Sequence, residues 1–118
     1  MSISHVLAVV PVRDFDASCS WYEALFGRPP TNVPMPGRLA EWRVADGGWV
    51  QVTVAAERAG AAMVNLAVSE LEWHLAELES RGLDVGDIQL ANKGVELSAI
   101  RDPDGNTITF IGNFREVY

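Results

Sequence analysis

The sequence predicts an α+β domain made of two successive modules, each containing a strand, a helix and three further strands. Short runs of alternating apolar and polar residues, bounded by Gly, Pro and Asp, are typical of strands. The segment Val12–Asp16 also aligns with the segment Val68–Glu72, and each joins an apolar run to a helical pattern. Two such junctions can arise by chance in any α+β chain, but the matching strands that follow them favour an internal repeat.

The first module begins with a β-branched run, Val6–Val12, that is typical of a strand. Asp14 is the expected N-cap of the helix that follows. The buried face of that helix is predicted to contain Phe15, Ser18, Cys19, Tyr22, Leu25 and Phe26. Gly27 then ends the helix, because glycine adopts the left-handed conformation at low cost.

The rest of the first module is predicted to form three strands. A weak edge strand is expected at Thr31–Pro34, where prolines limit pairing. The segments Leu39–Ala45 and Trp49–Ala55 form a predicted hairpin around Asp46-Gly47-Gly48. A short linker, Glu57–Ala61, leads into the second module.

The second module repeats this order. A strand is expected at Ala62–Val68, and Ser69–Glu72 matches a capping box before a helix that ends at Arg81-Gly82. The buried stripe of that helix is predicted to be Leu71, Leu75 and Leu78. The remaining strands are expected at Leu83–Leu90, Val95–Ile100 and Asn106–Gly112, with a sharp turn at Asp102–Gly105. We therefore expect one domain over residues 1–118, with modules at 1–56 and 62–118.

The composition limits the possible functions. The chain has 118 residues, 48% of them hydrophobic, and a formal charge of −7. This charge disfavours a nucleic-acid partner, because such binding depends on Lys and Arg that neutralise phosphates. No run approaches membrane-spanning length, and the N-terminus lacks the features of a signal peptide. With Cys19 as the only cysteine, an intrachain disulfide is excluded, and a cytoplasmic location is expected.

Several motifs together resemble the vicinal oxygen chelate superfamily, which includes glyoxalase I, extradiol dioxygenases and bleomycin resistance proteins. These motifs are Val10–Asp14, Trp21-Tyr22, Leu25–Gly27 and Asp102–Asn106. The resemblance covers essentially the whole chain. It implies tandem βαβββ modules whose curved mixed sheets form a cup, the glyoxalase/bleomycin resistance fold, commonly completed across a homodimer.

The same resemblance identifies four positions where metal-dependent members hold their metal ion. In this chain those positions are occupied by Leu7, Gln51, Met63 and Thr109. Divalent transition metals prefer imidazole, carboxylate or thiolate ligands, which this set lacks. We therefore expect no metal and no other cofactor, and the residues point away from a metalloenzyme.

The two histidines are the remaining candidate metal ligands. His5 lies on the same predicted strand face as Leu7, but two residues from the expected ligand position. We interpret it as a histidine at the frayed start of a strand with an ordinary hydrogen bond. His74 lies between Trp73 and Leu75 on the second helix and is expected near the surface.

Strand alternation predicts which side chains line the cup. On the first strand, Val6, Ala8 and Val10 are expected beneath the helices, and the alternate residues face the cup. Trp42 is expected in the core, whereas Trp49 fits the core and the cup equally well. The predicted pocket lining is His5, Leu7, Trp49, Gln51, Met63, Asn65, Thr107 and Thr109.

Three functions are compatible with these residues. The favoured one is a metal-independent protein of the bleomycin-resistance type that sequesters or carries a small organic ligand. The alternative is a glyoxalase-like lyase, isomerase or dioxygenase with an unusual site that uses His5, or a metal-free site with Glu96 or Glu41 as the base. The third is a dimeric domain whose cup has no remaining function.

Overall fold

Two helices each cover one face of a four-stranded sheet in a computed structural model that describes residues 2–118. Sheet A contains β1 (Val6–Val12), β2 (Asn32–Met35), β3 (Leu39–Ala45) and β4 (Gly48–Val54), and α1 (Phe15–Phe26) lies against it. Sheet B contains β5 (Met63–Val68), β6 (Gln89–Leu90), β7 (Glu96–Arg101) and β8 (Thr107–Gly112), and α2 (Leu71–Ser80) lies against it. Single 3₁₀ turns occur at Ala56–Arg58 and Asn92–Gly94.

The two sheets have the same topology. The strand order is β1-β4-β3-β2 in sheet A and β5-β8-β7-β6 in sheet B, with the first strand of each module parallel to the last and the other neighbours antiparallel. The predicted α+β fold with tandem βαβββ modules is therefore confirmed. The sheets are open, and β1 and β5 are edge strands of their respective sheets.

The core lies between each helix and the adjacent face of its sheet. Val10, Val12, Tyr22, Leu25, Trp42 and Val52 form the fully buried centre of the first module. Asp14 caps α1 through a hydrogen bond of 2.9 Å from the backbone N–H of Ala17 to its side-chain oxygen. At the other end, Gly27 adopts a left-handed conformation with φ of 72°. Both ends of α1 thus match the prediction.

A buried polar cluster joins the two modules at the turn between β7 and β8. Asn106 is completely buried, and its side-chain Oδ1 accepts hydrogen bonds from the backbone N–H groups of Gly60 and Ala62, each at 3.0 Å. Its Nδ2 donates to the carbonyl of Pro11 on β1 and to Asp102, each at 2.8 Å. This side chain therefore ties β1, the linker and the β7–β8 turn together.

Two local predictions were wrong, and the start of the last strand, expected at about Asn106, shifts by one residue. The predicted strand Leu83–Leu90 shrinks to Gln89–Leu90. Leu83, Val85 and Ile88 pack against the core instead, and the carbonyl of Gly86 accepts a hydrogen bond of 2.7 Å from the Ser98 hydroxyl. The N-cap of α2 is Glu70 and makes no side-chain capping hydrogen bond, so the predicted capping box does not form. The last strand begins at Thr107, because the backbone N–H of Asn106 donates to Asp102 within the turn.

The other boundaries differ from the prediction by a residue or so. The edge strand β2 contains Pro34 and pairs irregularly with β3. In the described part of the chain, no helix has the length and apolar character needed to cross a bilayer.

Candidate ligand-binding face

Each sheet has one face that no helix covers, which we call its open face. On β1, Val10 is buried under α1 and Ala8 is partly buried, whereas Leu7 and Val9 point to the open face and are 44% and 54% exposed. Val6 was predicted to pack beneath the helices, but it is 70% exposed. Val6 is the first residue of β1, and the part of this strand that contributes to the core begins further along the chain.

The open face of sheet A brings three of the predicted lining residues together. Leu7 pairs with Trp49, and the neighbouring pair on the same two strands is Val9 with Gln51. Trp49 and Gln51 are both half-buried. The open face of this sheet is thus largely apolar and aromatic, with one amide in the middle.

Glu41 belongs to this face as well. It pairs with Gln51 across β3 and β4, and the Gln51 Nε2 donates to the Glu41 Oε2 at 2.8 Å. On the other side, the Asn32 Nδ2 donates to the Glu41 Oε1 at 3.2 Å. From the sequence alone, Glu41 is a candidate only for a catalytic base. The turn between β3 and β4 sets which residues of the two strands lie opposite each other. Its position in the sequence could have predicted that Glu41 lies opposite Gln51.

The open face of sheet B carries the other predicted strand residues. Met63 pairs with Thr107, and Asn65 pairs with Thr109. Met63 is 82% exposed, and the two threonines are half-buried. Thr109 also borders a hollow of about 310 Å³, whose other walls are Gly86, Asp87, Gln89, Leu97 and Ala99.

The two open faces correspond position by position. Leu7 and Met63 each lie at equivalent places in the first strand of their module, and Gln51 and Thr109 at equivalent places in the last strand. Hydrogen bonding links strands within each sheet only. A single chain therefore has two open faces, one on each sheet.

These four side chains do not suit a divalent metal ion. They offer a hydrocarbon, an amide, a thioether and a hydroxyl, without a carboxylate or imidazole among them. Within residues 2–118, no three His, Cys, Asp or Glu side chains lie close enough together to hold a metal ion. We therefore derive no chemistry through a metal at this face.

His5 is one of the residues predicted to line the pocket. It precedes β1, is exposed, and its Nδ1 is 2.8 Å from the hydroxyl of Ser4. This ordinary local hydrogen bond agrees with its interpretation as a histidine at the frayed start of a strand.

His74, which was predicted near the surface, is half-buried. Its ring is 4.6 Å from that of Phe110, measured between centroids, and its Nε2 is buried without a hydrogen-bond partner. His74 is three residues after the buried Leu71, so the helical spacing could have revealed this. Burial lowers the pKa of His74, and the nearby Arg81 lowers it further.

Two further side chains, Trp42 and Cys19, lie between sheet A and α1 or at the edge of that core. Trp42 is completely buried, as predicted for the core, and its Nε1 donates to the carbonyl of Arg28 at 3.0 Å. Cys19 packs at the edge of the core, and burial, followed by the neighbouring Asp16 and Glu23, raises the pKa of its thiol. A raised pKa disfavours the reactive thiolate, so Cys19 is a poor nucleophile.

A cavity lies between the two modules. It encloses about 630 Å³, and much of its wall comes from helix-side residues such as Ala8, Phe26, Val50, Leu66 and Phe110. Trp49, Met63 and Asn65 also border it. The last two do so because β5 is an edge strand, so residues of both its faces meet the cavity. Three of the predicted lining residues therefore share this cavity with helix-side residues.

Comparison with solved structures identifies close matches over nearly the whole chain. A glyoxalase/bleomycin resistance protein from Catenulispora acidiphila is 32% identical, with 92% of this chain and 96% of that chain covered and a TM-score of 0.85. TnmS3, an antibiotic binding protein from Streptomyces, is 25% identical over 95% of this chain and 98% of its own, with a TM-score of 0.77.

A bleomycin-binding protein solved in complex with bleomycin shares the fold. It is 20% identical, with 93% of this chain and 98% of that chain covered and a TM-score of 0.76. No protein-family model and no curated protein matches the chain.

Proposed function

Because the chain belongs to the glyoxalase/bleomycin resistance protein family, we propose that it binds a small organic molecule, without a metal ion, between open faces of its sheets. The observation that carries this proposal is the chemistry of the four corresponding positions. Leu7, Gln51, Met63 and Thr109 create a mainly apolar surface with a few hydrogen-bonding groups, the usual character of small-molecule sites. The antibiotic binding by TnmS3 supports the same class of function.

The proposed site is completed by a second copy of the chain. Each sheet alone supplies only half of the lining, and the outer edges of β1 and β5 have no strand partner within residues 2–118. Apolar side chains are exposed at these edges, notably Val6, Val9 and Met63. Exposed apolar strand edges are usually covered in native proteins. In the proposed homodimer, sheet A of one copy and sheet B of the other form one cup.

Metal independence is tested by elemental analysis of the purified protein, followed by titration with Ni²⁺ or Zn²⁺ in a calorimeter. We expect less than one metal ion per cup and no saturable binding. One tightly held metal ion per cup, retained through dialysis against a chelator, would contradict the proposal.

Ligand binding is tested by thermal denaturation against a library of planar organic compounds. A ligand at about 100 times its dissociation constant stabilises the folded state by about 2.7 kcal/mol, which raises the melting temperature measurably. The variant Thr109→Arg, which fills the open face of sheet B, should abolish the shift. Ala76→Arg, on the exposed surface of α2, is the matched control and should retain it. No shift with any compound favours a cup without function.

A further inference from the structure

Glu41 is a carboxylate without a cationic partner on the open face of sheet A. The ion pairs among residues 2–118 join Arg13 to Asp104, Arg43 to Asp46 and Arg81 to Glu77. The contacts of the Glu41 oxygens are the amide groups of Asn32 and Gln51. Neutral amides hold a carboxylate in place but leave its charge uncompensated.

The two amides also fix the orientation of this carboxylate. Each Glu41 oxygen accepts one hydrogen bond, one from β2 and one from β4, so the side chain is held from both sides. A carboxylate oxygen can accept about two hydrogen bonds, which leaves one position open on each oxygen. A group that is already ordered loses little conformational entropy when it binds a ligand.

The surroundings of Glu41 strengthen its attraction for a cation. Its neighbours on the open face include Leu39, two residues away on β3, and Val9, which lies beyond Gln51 on β1. Apolar neighbours lower the local dielectric and so increase the energy of a charge interaction. Arg43 is the nearest cation along β3, but its guanidinium binds Asp46 at 2.6 Å.

Trp49 adds an aromatic surface beside this carboxylate. It is two residues from Gln51 on β4 and pairs with Leu7 and Arg43, which puts it diagonally across from Glu41. Diagonal neighbours on a sheet face are roughly 7–8 Å apart, within reach of one aromatic ligand. Tryptophan is also the best aromatic partner for a cation.

We propose that Glu41 and Trp49 select a planar organic cation as the ligand, with the carboxylate binding the charged group and the indole stacking on the ring. This inference rests on the proposed small-molecule function, and it adds that the ligand carries a positive charge. Glu41 is then a specificity-determining residue. The corresponding position in sheet B is Ala99, so the selection is confined to one half of the cup.

The test uses three probes with the same ring system and different charges at pH 7.5: 9-aminoacridine as the cation, acridine as the neutral compound and acridine-9-carboxylate as the anion. Their affinities for the full chain are measured by fluorescence titration. We expect 9-aminoacridine to bind about tenfold more tightly than acridine, since hydrogen bonds to charged groups are the stronger kind. The anion should bind most weakly.

The variant Glu41→Gln should remove the preference for the cation, so that 9-aminoacridine binds no more tightly than acridine. The variant should remain folded, because Asn32 and Gln51 are amides that can rotate to present either oxygen or nitrogen to a glutamine. Glu79→Gln removes the same charge from the exposed surface of α2 and should retain the preference.

Each other outcome overturns the inference in a recognisable way. Equal affinity for the three probes, or a cation preference that survives in Glu41→Gln, excludes charge selection by Glu41 but leaves the proposed binding function intact. Equal loss of preference in Glu79→Gln shows a general effect of the acidic surface. If none of the three probes binds, the proposed function fails for planar ligands and the inference fails with it.

Discussion

The hydroxyl of Tyr22 in α1 donates a hydrogen bond of 2.7 Å to the Oδ2 of Asp102, in the turn between β7 and β8. Both residues are buried, and the bond joins the first module to the second. The same carboxylate accepts hydrogen bonds from the backbone N–H groups of Asp104 and Asn106 and from the Asn106 side chain. The Asp-Pro-Asp-Gly-Asn motif therefore has a structural role at the junction of the modules.

The substitution Tyr22→Phe should lower the free energy of unfolding by about 1 to 3 kcal/mol, because it leaves a buried carboxylate with one fewer donor. Burial and the hydrogen bond to Asp102 raise the pKa of Tyr22, so the hydroxyl stays protonated and able to donate. Urea denaturation measures the change. Tyr118→Phe, at the exposed C-terminus, is the control and should have no effect. Equal stability of the two variants would mean that this bond contributes nothing.

Asn106→Asp should destabilise the protein more strongly. The change is nearly isosteric, but it replaces the Nδ2 donor with an oxygen that faces the carbonyl of Pro11 and the carboxylate of Asp102. Two lost hydrogen bonds and an added buried charge should cost more than about 3 kcal/mol together. The measurement is again urea denaturation. Asn92→Asp, in an exposed 3₁₀ turn, should leave stability within about 0.5 kcal/mol of wild type.

The environment of His74 predicts a loss of stability in mild acid. Its folded pKa lies below the ordinary value of 6.5, so the unfolded chain takes up a proton more readily than the folded one. The free energy of unfolding should therefore decrease as the pH falls from above 6.5 through the lowered folded pKa. His74→Gln should reduce the slope of stability against pH in this range. His5→Gln, at an exposed position, should leave it unchanged, and a slope identical in all three proteins would contradict the prediction.

Met63→Lys tests the proposed pairing of two copies. A charged side chain at this edge strand should oppose burial of β5 against a partner. In analytical ultracentrifugation at one protein concentration, we expect the wild type to sediment as a dimer and the variant as a monomer, and a monomeric wild type would contradict the proposed pairing. Trp73→Lys changes an exposed apolar residue on α2 and should remain dimeric. If only Trp73→Lys dissociates, the interface involves the helices.

Local sequence patterns were sufficient for most elements of the fold. The alternation of β1, the N-cap at Asp14 and the stop at Gly27 all depend on short-range sterics and hydrogen bonds, which act within a few residues. The pattern failed at Leu83–Leu90, where the side chains of residues 83–88 pack against the core and the carbonyl of Gly86 accepts a hydrogen bond from the Ser98 hydroxyl. That contact joins segments distant in sequence, and no local propensity contains it.

Some features of the candidate site could likewise be predicted from the sequence, and others depend on the tertiary structure. The family resemblance identified Leu7, Gln51, Met63 and Thr109. Alternation then predicted which neighbours share their faces, because side chains of a strand point to opposite faces in turn. The amide contacts of Glu41, the burial of the His74 Nε2 and the junction around Asn106 appeared only in three dimensions. These features depend on which strands become neighbours. Cross-strand register and the packing of one module on the other determine which strands are neighbours. Both depend on contacts between residues far apart in the chain.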